Sequence, residues 1–489
     1  MRYPGDHKGP LFFHAAQSPD RPALIWEGEV WNYQTLAVSV VRCAGNLERY
    51  GISPGTHVGV VTPNSRRELV LFLALWLRDA VIVPVNHRLT SGEIIRQLRN
   101  ADIGLCFFQD LPDNPSTGIK FCSIDAIDRD TPSPDLTISS RPSGDDLAAI
   151  FHTSGTTGDP KGVRLSHLNF YSSALSSAIN LGIDPEDRWL ACLPLDHIGG
   201  FSILTRSLVN GTAIELHKEF NAEKVLQSLR ENSITLLSLV PTMLDRLLKA
   251  GLKHRNSLRG ILLGGGSSPD SLLERAAEID LPILKTFGMT ETCSQVVTTP
   301  LEMVGEKLQS AGQPLPLVDL KILDDEHGTA PPRASGEICI RGPMIMKGYY
   351  NDPVSTEEYF HRDYLRTGDY GYLDSENYLH IDARRTDRIV TGGENVDPVE
   401  VEAALRKLES IQDVCVFGKP HESWGEEVCA AVVPAEGFNL TLAECREFAL
   451  PEIAGYKRPK HYFIIEKIPR NATGKPLRRK LREHLTRSY

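Results

Sequence analysis

The chain has 489 residues, of which 41% are hydrophobic and 24% are charged, and its formal net charge is −10. This length allows two or three domains with a sizeable core, and the composition is that of an ordinary globular protein. The negative net charge argues against nucleic acid or an anionic membrane surface as a principal partner. Local loops must therefore supply the cations for any anionic ligand.

Membrane and export signals are not expected in this sequence. The longest apolar run, Leu69 to Leu77, is too short to cross a bilayer and predicts a core helix, so we expect no integral membrane contact. The N-terminus lacks the apolar stretch of a secretory signal. The nine cysteines are scattered and include no C-x-x-C pair, which favours reduced thiols in a cytoplasmic protein over zinc sites or disulfides.

The first elements alternate between strand and helix patterns. Strands are predicted at 58–61 and 80–85, and helices at 66–77 and 91–100. This alternation predicts a layered α/β architecture with largely parallel sheets. Residues 109–145, which are rich in Pro, Asp and Ser, are expected to form a connection.

A segment rich in glycine and hydroxyl groups follows. It lies between a predicted buried strand at 147–151 and a predicted helix at 166–179. Glycines let backbone N–H groups turn toward an anion, hydroxyls add donors and the lysine adds a point charge, which is typical of a polyphosphate loop. The spacing is not that of a Walker A loop. Taken alone, the segment could equally be a flexible surface loop. Its candidate ligand-binding residues are Thr153, Ser154, Gly155, Thr156, Thr157, Gly158 and Lys161.

Two further segments follow predicted strands. Gly264, Gly265 and Gly266 predict a turn at a strand end, where a flat ring can lie against bare backbone. The run from Phe287 through Gly288 and Thr290 offers an aromatic face and a hydroxyl, and Glu291 offers a carboxylate. That carboxylate suits Mg²⁺, which usually takes one or two carboxylates and completes its shell with phosphate and water. An isolated glutamate is more often simply solvated.

The last two chemistry-bearing segments lie late in the chain. Thr367-Gly368-Asp369 places a carboxylate in a tight turn, where it could accept hydrogen bonds from two ribose hydroxyls. Lys475 follows Gly474 in a loop near the C-terminus. A lysine among basic neighbours is usually solvated, so this residue alone carries little information.

The pattern restarts after the charged stretch at 382–388, which we expect to be a strand-free hinge. The predicted elements beyond it are a helix at 398–408, strands at 413–417 and 428–433, a helix from Thr441 with Glu444 completing a capping box, and a strand at 462–465. The expected fold class is α/β, with a large N-terminal layered α/β domain at 1–384 and a small mobile C-terminal α+β domain at 385–489.

In this order the segments resemble the adenylate-forming superfamily of acyl-CoA synthetases, firefly-type luciferases and peptide-synthetase adenylation domains. The resemblance covers essentially the whole chain and includes the run at 392–400. It implies a two-step reaction. A carboxylate first attacks the α-phosphate of Mg-ATP to give an acyl adenylate and pyrophosphate, and the thiol of CoA then displaces AMP.

The resemblance also implies roles for single residues. Lys475 bridges the carboxylate and the α-phosphate, Glu291 holds Mg²⁺, and Thr153 to Lys161 hold the β- and γ-phosphates. Asp369 and Arg384 hold the ribose, while the turn at 264–266 with Phe287 holds adenine.

In relatives the small domain swings between the two steps, and the loop Gly392-Gly393-Glu394 then lines the pantetheine tunnel of CoA. The pivot position, commonly Asp or Lys in the family, is Thr386 here with Asp387 next, which leaves its identity open.

The acyl pocket is predicted from a further segment. His197 stands where relatives keep a residue at the mouth of the site, and Arg206 lies in the helical run 201–208, where it needs an anionic partner unless it reaches the surface. Local sequences around Thr290, Ser294 and 310–314 resemble one subfamily, the o-succinylbenzoate–CoA ligases of menaquinone synthesis. That resemblance implies that Arg206 binds the second carboxylate of the substrate, and that Thr290, Cys293, Ser294 and Gln295 line the pocket.

Three alternatives remain open at this point. They are another aryl- or medium-chain acyl-CoA ligase, a free-standing peptide-synthetase adenylation domain, and a nucleotide-binding regulator without catalysis. The expected partners are small molecules, namely a carboxylic acid, ATP and CoA, with no nucleic acid and possibly a second copy of the chain.

Overall fold

The computed structural model describes residues 9–109, 118–128, 144–153, 160–254, 257–266, 268–324, 328–384, 389–469 and 476–485. Within these ranges the α-helices are α1 (Pro10–Gln17), α2 (Tyr33–Leu47), α3 (Arg66–Leu77), α4 (Ser91–Asn100), α5 (His167–Leu181), α6 (Ile198–Asn210), α7 (Ala222–Glu231), α8 (Pro241–Lys249), α9 (Asp270–Ala277), α10 (Pro353–Glu358), α11 (Pro398–Leu405), α12 (Leu442–Glu452) and α13 (Arg478–Leu485).

The strands of the first three sheets are β1 (Pro22–Trp26), β2 (Glu29–Asn32), β3 (His57–Val61), β4 (Val81–Pro84), β5 (Leu105–Phe108), β6 (Lys120–Ser123), β7 (Leu147–Thr153), β8 (Lys161–Ser166), β9 (Arg188–Ala191), β10 (Ala213–Leu216), β11 (Leu236–Leu239), β12 (Gly260–Leu263), β13 (Ile283–Met289), β14 (Ser294–Thr298), β15 (Gln313–Pro314), β16 (Asp319–Leu323), β17 (Gly336–Arg341), β18 (Phe360–His361), β19 (Tyr364–Leu373) and β20 (Leu379–Arg384). The strands of the fourth sheet are β21 (Ile389–Thr391), β22 (Glu394–Val396), β23 (Ile411–His421), β24 (Gly425–Pro434) and β25 (His461–Ile464).

Two large sheets dominate the first part of the chain. The nine-stranded sheet has the order β15-β14-β13-β12-β11-β9-β10-β1-β2, and the six-stranded sheet has the order β6-β5-β3-β4-β7-β8. The central pairs are parallel, whereas β1 with β2, β13 with β14 and β7 with β8 pair antiparallel. The prediction of a layered α/β fold with largely parallel sheets is confirmed.

Local sequence signals set the helix boundaries. Helix α3 starts after Ser65, whose hydroxyl accepts a hydrogen bond from the Glu68 backbone N–H, and its apolar run is almost entirely buried, as predicted. Helix α4 starts with a capping box between Thr90 and Glu93. No helix among the described residues is both long and apolar enough to cross a bilayer.

The core between the large sheets is built around Phe201. This α6 side chain is fully buried, and its ring centroid lies 5.3–5.4 Å from those of Phe72, Trp76, Phe151 and Phe170. Those rings belong to α3, β7 and α5, so one side chain joins three elements. Edge-on and tilted aromatic contacts of this kind add to the free energy of burying the rings.

The C-terminal unit, which we define as residues 389–469 and 476–485, has its own sheet and apolar core. Two expectations are corrected here. The stretch at 382–388 is not strand-free, because 382–384 continue β20 through pairing with β19. Glu444 does not complete a capping box: Thr441 accepts from the Glu444 backbone, but the Glu444 carboxylate accepts a hydrogen bond from Ser410 at 2.7 Å.

Replacing Phe201 by alanine should lower the free energy of unfolding by about 3–5 kcal/mol, because the cavity would open among four rings that cannot all collapse into it. Urea unfolding followed by tryptophan fluorescence measures this change. Leu175→Ala on α5 is the control, because that side chain is 48% exposed and its loss should cost less than about 0.5 kcal/mol. Equal effects of the two variants would contradict the assigned core.

Candidate active site

A cavity of about 230 Å³ lies beyond the carboxyl ends of β9, β11, β12 and β13. Parallel strands end at one edge of a sheet, which is where α/β proteins bind ligands. Predicted site residues from segments far apart in the sequence line this cavity, namely Thr153, Lys161, His197, Arg206, Gly264, Gly265, Gly288, Thr290, Glu291, Ser294, Asp369 and Gly393.

The predicted phosphate loop is described only at its two ends. Thr153 and Lys161 face each other across the antiparallel β7–β8 pair. Lys161 is 8% exposed, and its Nζ donates to Ser355 Oγ at 2.7 Å. It also lies 5.2 Å from the ring centroids of both Tyr349 and Tyr359. The other predicted loop residues, Ser154, Gly155, Thr156, Thr157 and Gly158, lie outside the described residues.

Glu291 lies in the short turn that follows β13, and it is 4% exposed. Its Oε1 accepts a hydrogen bond from the Tyr349 hydroxyl at 2.9 Å, so Tyr349 contacts both the carboxylate and Lys161. The described residues contain no group of three or more metal-binding side chains. One fixed carboxylate at a cavity wall nevertheless fits Mg²⁺ that arrives with substrate phosphates, because water and phosphate fill most of its shell.

Phe287 exposes little of its side chain at the end of β13. It is 5% exposed and belongs to the main apolar core, whereas Thr286 and Gly288 line the cavity. The pairing of β13 with β14 shifts register between Phe287 and Gly288, so strict strand alternation does not set the direction of the ring. The contact of this ring with adenine stays a prediction. Gly288 has no room for a side chain, because an added Cβ would lie 2.0 Å from the Ser294 carbonyl oxygen.

The glycine turn lies where it was predicted, after β12. Gly264 and Gly265 line the cavity, and Gly265 has a φ of +79°. Gly266 does not line it and instead faces Val390 of the C-terminal unit, which a Cβ would meet at 3.4 Å. The bare backbone of the first two glycines is thus left to contact a flat ligand.

The predicted ribose residues lie in neighbouring strands. Asp369 is 7% exposed, and its backbone N–H donates to Thr367 Oγ1 at 3.1 Å. Its Cα pairs with that of Arg384 across β19 and β20. The Arg384 side chain and Lys475 lie outside the described residues.

Arg206 does not reach the surface, since it is only 2% exposed on α6. One guanidinium nitrogen donates to Ser294 Oγ at 3.0 Å, and the group lies 5.4 Å from the Trp189 ring. Its Nε has no hydrogen-bond partner among the described residues. Burial lowers the pKa of Arg206 to about 10, so the side chain remains a cation at neutral pH. A buried cation that donates to the Ser294 hydroxyl and lies beside the Trp189 ring suits an anionic ligand.

The turn after β13 builds the rest of this wall. Cys293 and Ser294 have φ values of 51° and 85°, in the left-handed region, and Ser294 Oγ also meets Ser202 Oγ at 3.2 Å. Gln295 lines the cavity and donates to Ser177 at 3.0 Å. Cys293 is fully buried and does not line the cavity, and burial holds the pKa of its thiol well above the usual range.

His197 meets the C-terminal unit at the cavity mouth. Its Nε2 lies 3.0 Å from Glu394 Oε2, and Arg88 donates to Glu394 Oε1 at 3.1 Å. Loss of water lowers the pKa of His197, but Glu394 and Asp196 outweigh this effect and raise it to about 9. Burial likewise raises the pKa of Glu394, but His197 and Arg88 outweigh it and lower that pKa to about 2. Both groups are therefore charged at neutral pH.

The loop before Glu394 closes over the cavity. Gly392 and Gly393 have φ values of 59° and 87°, and Gly393 lines the cavity beside Val240. Asn395 and Asp397 also line it, and no role was predicted for them from the sequence. The sequence feature that could have identified them as cavity residues is their place within the run at 392–400. Tyr349, Tyr359 and Ser355 gave no such signal, because only the tertiary contact with Lys161 identifies them.

Glu394→Gln should bring the pKa of His197 down from about 9 toward its ordinary value of 6.5. Because docking raises the pKa of His197, the ion pair stabilises the docked state. This stabilisation is fully present below pH 6.5 and is lost as the pH rises through about 9, where His197 loses its proton. NMR titration of labelled histidine, with His197→Gln for assignment, measures the shift. An unchanged titration in Glu394→Gln would refute the pairing.

Comparison with known proteins identifies the family of the chain. Residues 11–350 match the family described as AMP-binding enzyme, and residues 400–475 match the AMP-binding enzyme C-terminal domain. The chain is 38% identical over 473 residues to the 2-succinylbenzoate–CoA ligase of Listeria monocytogenes, covering 95% of this chain and 97% of that one. It is 35% identical over 475 residues to the ligase of that name from Bacillus subtilis, covering 97% of each.

Solved structures of the Bacillus subtilis enzyme are also similar. A double mutant of o-succinylbenzoate CoA synthetase bound with its product analogue OSB-NCoA superimposes with a TM-score of 0.93 at 35% identity, covering 98% of both chains. The complex with the acyl-adenylate intermediate OSB-AMP gives a TM-score of 0.75 at 34% identity, covering 97% of this chain and 98% of that chain. The chain belongs to the AMP-binding, adenylate-forming enzyme family and resembles its 2-succinylbenzoate–CoA ligases over almost its whole length.

Proposed function

We propose that the chain is an AMP-forming acid–thiol ligase that activates o-succinylbenzoate with ATP and transfers the acyl group to CoA, a step of menaquinone biosynthesis. The observation that carries the choice of acid is Arg206, a buried cation at the cavity wall whose Nε has no hydrogen-bond partner among the described residues. A substrate with two carboxylates can react through one of them and be bound through the other.

Relatives support the substrates and cofactor. Structures of the Bacillus subtilis synthetase are described as complexes with ATP and magnesium ion, with the adenylate OSB-AMP and with the product analogue OSB-NCoA. We therefore assign ATP, Mg²⁺ and CoA to this chain. The net charge of −10 supports small-molecule partners over nucleic acid, and nine free cysteines support a cytoplasmic location.

The first half-reaction requires two anions to approach each other. In this proposal Lys161 and the loop that it ends bind the β- and γ-phosphates, and Asp369 with Arg384 binds the ribose. Glu291 would hold Mg²⁺, whose bound charge would offset that of the phosphates. Lys475 would neutralise the reacting carboxylate and the α-phosphate oxygens as charge shifts between them. The family likeness supports these roles.

The acyl end of the cavity selects the acid. Arg206 would receive the aromatic carboxylate as a bidentate pair, because a guanidinium presents two parallel N–H donors to a carboxylate. Ser294 already holds one guanidinium nitrogen at 3.0 Å and so fixes the plane of the group. Thr290 and Ser294 would contact the substrate itself.

The second half-reaction uses the C-terminal domain, which we place at 385–489 after a large domain at 1–384. Gly393 leaves backbone without a side chain beside Val240, and Gly392 does so beside the Trp424 ring, which would give a narrow pantetheine passage a smooth wall. Glu394 orients His197 at the mouth of the acyl site. The charged pair would help to keep water away from the adenylate while the thiol enters.

Arg206→Leu should reduce kcat/KM for o-succinylbenzoate by about 100-fold or more, because the second carboxylate would then be buried without a cation. Turnover of benzoate, which lacks that group, should fall much less. Steady-state AMP release with CoA present measures both acids. Trp189→Phe is the matched control, because it keeps an aromatic face near Arg206. Intact o-succinylbenzoate turnover in Arg206→Leu would remove the basis for the acid assignment.

Lys475→Ala should lower ATP–pyrophosphate exchange by about 100-fold or more, since a cation at the developing charge acts mainly on the transition state. Exchange of labelled pyrophosphate into ATP, with the acid present and CoA absent, isolates this step. Lys480→Ala is the control, because that residue is an exposed lysine of α13. Unchanged exchange in Lys475→Ala would rule out the role given to this lysine.

A further inference from the structure

One buried lysine joins the two parts of the chain. Lys457 is 6% exposed at its side chain, and its Nζ lies 3.0 Å from Glu93 Oε1 and 2.7 Å from Glu400 Oε1. Glu93 lies within the stretch that matches the AMP-binding enzyme family, whereas Glu400 and Lys457 lie within the stretch that matches its C-terminal domain. The lysine therefore has one partner on its own side and one across the boundary.

Glu93 is held rigidly at the start of α4. Its Oε2 accepts hydrogen bonds from the Thr90 backbone N–H and the Thr90 hydroxyl, each at 2.8 Å. The capping box orients Oε1 toward Lys457 and prevents the carboxylate from following the lysine if the C-terminal unit moves. The contact with Lys457 is thus geometrically specific to one arrangement.

Apolar contacts surround the ion pair. Ala454 is 1% exposed and joins an apolar cluster whose other buried members all come from residues 61–150, including Ile94 and Leu98 of α4. Tyr456 packs against the same cluster, and the Arg88 guanidinium lies 5.5 Å from its ring centroid. Residues 454–457 therefore form a segment, which we call the docking segment, that seats the C-terminal unit on α4.

The charges on this segment are balanced only when it is seated. Burial by itself would lower the pKa of Lys457, but the carboxylates of Glu400 and Glu93 reverse this effect and raise it. Two carboxylate partners offset the free-energy cost of removing the lysine charge from water. Loss of one partner leaves part of that cost uncompensated. The ion pair across the boundary therefore favours the seated state over partly displaced ones.

The seated arrangement matches one form of a relative more closely than others. The chain superimposes with a TM-score of 0.93 on the Bacillus subtilis enzyme with its product analogue, and with 0.75 on the same enzyme with ATP and magnesium ion. Identity is 35% in both comparisons, and coverage of this chain is 98% and 97%. Sequence divergence therefore does not account for the difference in superposition.

We propose that Lys457 is a positioning residue for thioester formation, and that its ion pair with Glu93 latches the C-terminal unit in the arrangement that admits the thiol. The proposal rests on the two-step reaction given above. It assigns Lys457 to the second step alone, because the proposed function gives the first step to a different lysine, Lys475. Neither Lys457 nor Glu93 lines the cavity.

Half-reaction kinetics test the latch. Lys457→Met and Glu93→Gln should each slow single-turnover transfer of the acyl group from preformed adenylate to CoA by about tenfold or more, while ATP–pyrophosphate exchange stays within about twofold. The double variant should be no slower than the slower single variant, because both substitutions remove one interaction. Glu93→Gln keeps a side-chain oxygen that can accept the hydrogen bonds of the α4 cap. This variant therefore tests the latch even if Lys457→Met folds poorly.

A matched control comes from another lysine that crosses the same boundary. Lys249 Nζ lies 2.7 Å from Glu422 Oε1, but these side chains are 43% and 84% exposed. Exposed ion pairs contribute little, so Lys249→Met should leave both half-reactions within about twofold of the parent. A tenfold loss in Lys249→Met would show that any charge across the boundary suffices, and would overturn the specific role of Lys457.

Hydrogen–deuterium exchange of the substrate-free protein supplies a readout that does not depend on the acid. Amides in 91–100 and 453–457 should exchange faster in Lys457→Met and Glu93→Gln than in the parent. If the two variants exchange faster than the parent but the parent does not activate o-succinylbenzoate, the role of the ion pair is supported and the proposed acid is rejected. Unchanged exchange, or equal losses in the two half-reactions, would overturn the latch.

Discussion

Parallel pairing of β9, β11, β12 and β13 is the constraint on which the candidate site depends. Because parallel strands end at the same edge of a sheet, the turns that follow them must meet there, however far apart they lie in the sequence. The glycine turn after β12 and the carboxylate turn after β13 thus share one cavity. The antiparallel β7–β8 pair and β19 then bring Lys161 and Asp369 to its walls.

Lys161 and Arg206, which line the cavity, share a form of support. Lys161 donates to a serine hydroxyl between two tyrosine rings, and Arg206 donates to a serine hydroxyl beside a tryptophan ring. Hydroxyls and aromatic faces hold a cation in place without neutralising it. In such surroundings an arriving anion meets an undiminished positive charge in a medium of low dielectric, where attraction is strong. The arrangement suits a site that must bind phosphates at one end and a carboxylate at the other.

The contact between the two parts of the chain has a different character. Its charges are paired, the partly exposed His197 with the buried Glu394 at the cavity mouth and the buried Lys457 with Glu93 at α4. Ion pairs with buried partners are sensitive to distance and direction, so they favour one docked geometry more than apolar packing alone does. The cavity therefore keeps its cations available to ligands, whereas the boundary uses its charges to set position.

The local elements and the identity of the chemical groups follow from the amino-acid sequence. Apolar periodicity and capping residues gave α3 and α4 their limits, because these signals act within a few residues. The segments quoted from the sequence indicated the family, because their residue types follow from the reaction. Their local spacing could not show that the Phe287 side chain belongs to the main apolar core, that 382–384 continue a strand, or that Glu444 pairs with Ser410.

Which groups meet depends on the packing of the whole fold. Ser355 and Tyr349 beside Lys161, Ser294 beside Arg206, and Glu93 beside Lys457 are separated by 88 to 364 positions in the chain. A sequence pattern reports periodicity within one element, whereas these contacts depend on the order, register and packing of several elements at once. Burial then sets how strongly each charge acts. A lysine or arginine attracts an anion weakly in water and strongly in a cavity of low dielectric.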